Sequence, residues 1–297
     1  MNLKDKNILL LKGGISAERE VSLRSSAAIA AALRSLQYQV TELDVTSKDF
    51  VIPQRADIVF IGLHGVYGED GELQERLEDE GHVFTGSGSE ASWNAFEKLT
   101  SKKLFLQNNV RVAAGGVWNP DEPLIVPCVL KPVADGSSVG LSIVRNEADV
   151  PAAVEASLKV GKPMLVEEFI TGREVTVGIL GDTALPVLEI AVKGENYDYQ
   201  HKYTAGLSAH ICPAEFDPLT TKKIQDAALA AYRALGCTVY SRVDIIVTAN
   251  GEPVVLEVNT LPGMTDLSLL PDAARAAGIG FPELCEKILT LSVEARR

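Results

Sequence analysis

The sequence predicts an α/β (α+β) protein, with a doubly wound parallel sheet in its N-terminal third and units that mix helices with hairpins after it. Three observations carry this. Apolar runs of strand length alternate with helix-length segments at the start of the chain, the pattern of parallel βαβ units. Asn250-Gly251 lies between two β-rich runs and marks a hairpin, because both central residues of a type I′ turn need positive φ. The 297 residues, 46% hydrophobic and 23% charged, have an ordinary globular composition and suffice for two or three cores.

The elements follow in order. Residues 7–11 are a buried-strand run broken by Gly13-Gly14, and 21–33 form an alanine-rich helix. Residues 38–44 and 57–63 are strands, the second entering the loop 64–71, and 72–80 form a helix. In such sheets ligands gather beyond the carboxyl ends of the strands, which singles out 13–20 and 64–71. Phe84-Thr-Gly-Ser-Gly88 crosses to a second unit. That unit is expected to hold a helix over 92–107, strands over 126–131 and 163–168, and a small-residue loop over 135–140. The third carries several strands, a helix over 220–235, the hairpin, and a closing amphipathic helix over 281–291. The expected domains are 1–88, 89–168 and 169–297.

The net charge of −12 and a pI near 4.9 argue against a nucleic-acid or anionic-membrane surface, so basic residues should act locally on a small anion. Cys128, Cys212, Cys237 and Cys285 are scattered without a Cys-x-x-Cys pair and are expected to be packing residues. Without a signal-peptide pattern or an apolar run of membrane-spanning length, a reduced, cytoplasmic protein is expected.

The hairpin is the most informative segment. A two-residue turn at Asn250-Gly251 pairs Asp244 with Glu257 and Arg242 with Asn259, and all four side chains share one face. Directly opposed carboxylates repel, so the arrangement calls for a cation between them. Two carboxylates and an amide oxygen are hard ligands suited to Mg²⁺ completed by nucleotide phosphates. The competing reading is a solvated, charge-decorated face.

Other segments are weaker alone. Lys131 ends a strand and leads into the Gly/Ser loop reaching Gly140, where backbone N–H groups could approach a phosphate; a flexible turn explains it as well. Lys98, Lys102 and Lys103 read by themselves as a solvated helix face. Glu18 and Glu20 suit a helix N-terminus, and Glu18 could instead hold an ammonium group. Tyr197-Asp-Tyr-Gln-His-Lys-Tyr203 lacks helix or strand periodicity and suggests a lid over about 195–208 that orders over bound ligand; an exposed irregular loop explains it as well. His82 and His210 are expected to be structural or exposed.

Six ordered motifs, spanning nearly the whole chain, resemble the ATP-grasp superfamily and, within it, the D-alanine–D-alanine ligases. They are Gly13-Gly-Ile-Ser-Ala-Glu-Arg-Glu-Val-Ser22, His64-Gly-Val-Tyr-Gly-Glu-Asp-Gly71, Lys131-Pro-Val-Ala-Asp-Gly-Ser-Ser-Val-Gly140, the 197–203 stretch, Ser241-Arg-Val-Asp244 and Leu256-Glu-Val-Asn-Thr-Leu-Pro-Gly-Met-Thr265. The resemblance implies a two-domain ATP-grasp fold after the N-terminal domain, and ATP-dependent joining of two D-alanines through an acylphosphate for peptidoglycan synthesis. It implies that Lys98 and Lys131 contact ATP phosphates, Glu167, Glu168, Phe169 and Ile170 line the adenine site, and Glu174 holds the ribose. Asp244, Glu257 and Asn259 would bind two Mg²⁺ (or Mn²⁺), and Arg242 with the Gly263 N–H would stabilise the tetrahedral oxyanion. Glu18 and His64 would face the first D-alanine, with Glu18, Ser137 and Tyr203 in a hydrogen-bonded trio. Lys202 would reach the γ-phosphate, and Ser268 and Leu269 would receive the second carboxylate. A homodimer is what the family suggests.

Two stretches depart from the family pattern: Ala95-Phe96-Glu97-Lys98 stands where a methionine-aspartate-lysine is usual, and 110–130 is shorter than usual. Alternatives are a regulatory nucleotide-binding module, against which the intact set Arg242, Asp244, Glu257 and Asn259 argues, another carboxylate–amine ligase, or a D-alanine–D-lactate ligase.

Overall fold

A computed structural model describes residues 3–136, 140–192, 208–265 and 268–296. The anticipated lid, with Lys202 and Tyr203, and Ser137 lie outside the described residues.

The chain opens with β1 (Asn7–Gly13), α1 (Arg19–Ser35), β2 (Gln39–Val45), β3 (Ile58–Ile61) and α2 (Glu72–Asp79). The three strands form a parallel sheet ordered β2-β1-β3, as the alternation predicted. Ile8, Leu10, Leu11 and Phe60 are completely buried, because a strand covered on both faces is apolar at consecutive positions. Gly62, just past β3, is required there: a Cβ would lie 2.3 Å from Ser26 Oγ and 2.8 Å from the Leu11 carbonyl. That close approach sets helix α1 directly over the strand ends.

Next come α3 (Ser89–Phe96), α4 (Lys98–Gln107), β4 (Gly115–Val117), β5 (Cys128–Pro132), β6 (Ser142–Val144), α5 (Val150–Val160) and β7 (Met164–Glu168). The four strands make an antiparallel sheet ordered β4-β7-β5-β6. The single helix expected over 92–107 is two helices. Glu97 adopts an extended conformation, and its carboxylate caps α4 by accepting from the Leu99 and Thr100 N–H groups at 3.4 and 2.7 Å. A side chain that caps one helix must leave the previous one, and periodicity does not register that break.

The remainder is β8 (Arg173–Leu180), β9 (Thr183–Ala184), β10 (Leu188–Val192), β11 (Ser208–Ile211), α6 (Pro218–Ala234), β12 (Tyr240–Val247), β13 (Pro253–Asn259), α7 (Leu269–Ala276) and α8 (Phe281–Ala295). Strands β11-β10-β8-β12-β13 form a sheet with β9 against β8. Helix α8 packs back on the first sheet, so Leu284, Ile288 and Leu289 share a core with Ile8 and Leu10. The chain's end thus holds the hairpin unit against its beginning.

The hairpin differs from expectation at the turn and agrees at the site. Val247 pairs with Pro253, Ile246 with Val254 and Ile245 with Val255, one position away from the register of a two-residue turn. The loop spans three residues: the Gly251 N–H donates to the Thr248 carbonyl at 2.9 Å, and Gly251 alone takes positive φ, +76°. This is a type I turn followed by a left-handed glycine. A register shift between Asp244 and Ile245 then restores the predicted pairs, Asp244 with Glu257, Val243 with Val258 and Arg242 with Asn259. The extra residue of a bulge offsets the extra residue of the loop.

Candidate active site

A cavity of about 460 Å³ opens where the three sheets meet. Glu18 and His64 reach it from the strand ends of the first sheet. Lys98, Asp135 and Gly136 come from the second unit, and Arg242, Glu257, Asn259, Gly263, Ser268 and Leu269 from the hairpin and the segment after it.

On the first-sheet side, Gly65 has φ +70°, and a Cβ there would lie 2.7 Å from Glu18 Oε2, so the loop can close over the carboxylate only as glycine. The same carboxylate oxygen lies 3.6 Å from where a Gly136 Cβ would be, which brings the loop after Lys131 to Glu18. His64 is buried. Its Nδ1 lies 3.2 Å from the Leu261 carbonyl and 3.6 Å from Glu69 Oε1, and its Nε2 lies 3.2 Å from Ser25 Oγ.

At the lysine end, Lys98 Nζ donates to the Asp135 carbonyl at 2.6 Å. Burial, with help from the Lys131 charge, lowers its pKa against the opposing pull of Glu257, Asp135 and Glu167. Lys102 corrects the sequence reading of a solvated helix face. It is buried, donates to the Ala113 carbonyl, and pairs with Glu167 Oε1 at 2.5 Å. Lys131 takes the other oxygen, Oε2, at 2.7 Å. Burial pushes the Glu167 pKa up, but Lys131 and Lys102 outweigh it and hold the carboxyl below its ordinary value. Lys98 and Lys102 are one helical turn apart and share a face, the one signal in the sequence for this role. The partner that Lys102 finds is Glu167 on β7, more than sixty residues away.

Of the expected site residues, Lys131, Glu167 and Asp244 stand behind the cavity's lining, and Glu168, Phe169, Ile170 and Glu174 lie outside it, from the end of β7 to the start of β8. Glu168 Oε1 accepts from the Ala114 N–H at 2.8 Å, and the Arg145 guanidinium lies 4.9 Å from the Phe169 ring centre.

On the hairpin, Asp244 already holds a cation of the protein's own. Arg242 donates from Nε and Nη2 to the two Asp244 oxygens at 2.9 and 2.8 Å. Thr176, directly across from Asp244 on β8, donates its hydroxyl to Asp244 Oδ1 at 2.6 Å. Sequence reasoning missed Thr176, because a partner 68 residues away along the chain leaves no local pattern. Among the described residues no group of three His, Cys, Asp or Glu side chains converges. The donor set is therefore two carboxylates and one amide. These are hard oxygens with room for phosphate and water in the cavity, and they fit a hard divalent cation.

The segment after β13 is pinned by side chains. Asn259 Oδ1 accepts from the Leu261 N–H at 3.0 Å, and Ser25 Oγ accepts from the Met264 N–H at 3.3 Å. Ser268 Oγ accepts from the Thr265 N–H at 2.9 Å and lies 2.9 Å from the Thr265 hydroxyl. Ser25 and Thr265 are further residues that sequence reasoning did not single out. The four cysteines are free and buried or half-buried, and His210 pairs with Asp272 at 2.6 Å in a structural contact.

Comparison with known proteins bears directly on this arrangement. The family profile described as D-ala D-ala ligase C-terminus matches residues 95–290. The chain is 46% identical over 292 residues to the D-alanine–D-alanine ligase of Methylacidiphilum infernorum, covering 97% of this chain and 95% of that one. The crystal structure of a D-alanine–D-alanine ligase from Bacillus anthracis superposes with a TM-score of 0.88 at 33% identity, covering 98% of both chains. A structure of a Bacillus anthracis ligase complexed with ATP superposes with a TM-score of 0.84 at 32% identity and the same coverage.

Proposed function

The chain belongs to the D-alanine–D-alanine ligase family, and on that premise we propose how its residues carry out the reaction. It is an ATP-dependent ligase that joins two D-alanines. The proposed course is phosphoryl transfer from ATP to one D-alanine carboxylate, attack of the second amine on the acylphosphate carbonyl, and loss of phosphate. Splitting the step in this way converts a carboxylate oxygen, a poor leaving group, into phosphate.

Lys98 and Lys131 would receive the phosphates. In a chain of net charge −12, lysines gathered at one site make a local positive well for a polyanion. Glu167 through Ile170 would line the adenine site and Glu174 would hold the ribose. Asp244, Glu257 and Asn259 would hold two Mg²⁺ or Mn²⁺, ions whose chemistry is to bridge nucleotide phosphates and neutralise the transferring group. Three side chains leave most of two octahedra to phosphate and water. Glu18 would hold the ammonium of the first D-alanine beside His64, with Ser137 and Tyr203 completing that hydrogen-bonded trio. Lys202 would reach the γ-phosphate, and Ser268 and Leu269 would receive the carboxylate of the second D-alanine.

Arg242 and the Gly263 N–H would stabilise the oxyanion that forms on attack. Arg242 rests on Asp244, so it must exchange that carboxylate for the oxyanion. A reduced cytoplasmic setting, supported by the free cysteines, and a homodimer complete the proposal.

The observation that carries this reading is that one cavity gathers Glu18, Lys98, Arg242, Glu257 and Gly263 from three separate units of the fold. Mass spectrometry of products formed from ATP, Mg²⁺ and a panel of D- and L-amino acids with D-lactate tests it. D-Ala-D-Ala with stoichiometric phosphate is expected. Turnover with L-alanine or D-lactate but not D-alanine would overturn the acceptor and donor assignment.

A further inference from the structure

The segment from Leu261 to Met264, which contains Gly263, is gripped on both sides by two residues of the first-sheet unit. His64 Nδ1 faces the Leu261 carbonyl at 3.2 Å and Glu69 Oε1 at 3.6 Å. Both are acceptors, so Nδ1 carries the proton. The other ring nitrogen, Nε2, lies within hydrogen-bond distance of the Ser25 hydroxyl, at 3.2 Å. The Ser25 oxygen in turn accepts the Met264 N–H at 3.3 Å. The hydrogen bonds form one continuous chain, from the Met264 N–H through Ser25 and His64 to the Leu261 carbonyl. Both ends lie on the same short segment. Ser25 and Met264 are almost completely buried, so water does not compete for these bonds.

We infer that Ser25 is a positioning residue for the ligation step: with His64 it clamps the Leu261–Met264 segment so that the Gly263 N–H points where the oxyanion forms. This deepens the proposed role of Gly263 and rests on it. An oxyanion donor acts through preorganisation, so fixing the backbone on either side of it should matter for the transition state and little for ground-state nucleotide binding. Ser25 lies on α1, three residues past Ser22, whose hydroxyl donates instead to the Gly62 carbonyl at 2.6 Å. Ser22 is equally buried and does not touch the segment, which makes it the natural control.

Steady-state kinetics of Ser25→Ala, with ATP and D-alanine varied separately, tests the inference. The kcat should fall roughly ten- to thirtyfold, short of the ~10²–10³ for deleting an oxyanion-hole donor, while KM for ATP stays within about twofold. Affinity for a phosphinate dipeptide analogue, which mimics the tetrahedral carbon, should fall by the same factor as kcat. Ser22→Ala should lower the thermal midpoint at least as much and leave kcat unchanged. In the double variant Ser25→Ala/His64→Ala, kcat should fall no further than in the worse single variant, because the two act as one unit. Unchanged kcat in Ser25→Ala, equal kcat losses in Ser25→Ala and Ser22→Ala, or additive losses in the double variant would overturn the clamp. Failure of the parent protein to form D-Ala-D-Ala would instead sink the ligase reading beneath it.

Discussion

The two ends of the cavity are held by different forces. At the lysine end, Glu167 lies between Lys102 and Lys131, and Lys98 reaches a backbone carbonyl. At the end where the peptide bond would form, the segment after β13 is fixed by directional bonds from Asn259, His64, Ser25 and Ser268 to backbone groups. Charges tolerate movement, since Coulomb attraction falls slowly with distance and a lysine can trade a carboxylate for a phosphate. An oxyanion donor does not tolerate it, because hydrogen-bond energy falls steeply with angle. Arg242 stands between the regimes, charged yet bound to Asp244 in a two-point geometry.

The contrast can be broken by charge removal first. Glu257→Gln keeps the shape of the hairpin and removes one carboxylate, so turnover should be abolished, and the added thermal stabilisation by Mg²⁺ over nucleotide alone should disappear. Because Arg242 already neutralises Asp244, the ligand-free variant should be about as stable as the parent. Retained turnover would remove Glu257 from the metal site.

Glu167→Gln strands the buried Lys102 and the half-buried Lys131 and should cost about 3–5 kcal/mol in denaturant unfolding, the usual penalty for breaking a buried ion pair. The parent carries an acid signature as well. The folded pKa of Glu167 lies below its ordinary 4.5, so the stability it contributes is present above that value. It is lost as pH falls through the lower, folded value. Glu167→Gln should lack that acid-limb loss, and an identical limb in both proteins would show that the lysines do not hold this carboxylate.

A smaller effect is expected at Glu97. Glu97→Ala removes the α4 cap and should cost about 1 kcal/mol, with a raised KM for ATP because Lys98 is the first residue of that helix. Glu97→Asp should recover both quantities, since a shorter carboxylate also caps. An unchanged KM in Glu97→Ala would separate the cap from nucleotide binding.

The smallest concerns the turn. Gly251→Ala places a side chain at φ +76° and should destabilise by about 1 kcal/mol. The bulge between Asp244 and Ile245 isolates the site register from the loop, so kcat should stay at the parent value. A matching fall in kcat would show that the turn, not the bulge, sets the register at the carboxylates.

Much of the fold was legible. The parallel sheet followed from apolar strands alternating with helices, and the site pairing followed from period-two alternation counted from Asn250-Gly251. That pairing came out correct although the turn was misjudged by one residue, because the bulge compensates. The break at Glu97 was not legible, since a residue that ends one helix and caps the next fits the pattern of a continuous one.

The amino-acid order by itself determined what depends on neighbours along the chain: strand and helix identity, the shared face of Arg242 and Asp244, and the glycines that admit close approach. Only the tertiary structure decided which polar groups meet. Lys102 finds Glu167 across a helix–sheet packing, Thr176 meets Asp244 across β8 and β12, and Ser25 meets Met264 across the whole chain. Each partner lies more than sixty residues away. Burial, which makes such contacts strong, is a property of what covers a residue rather than of what precedes it.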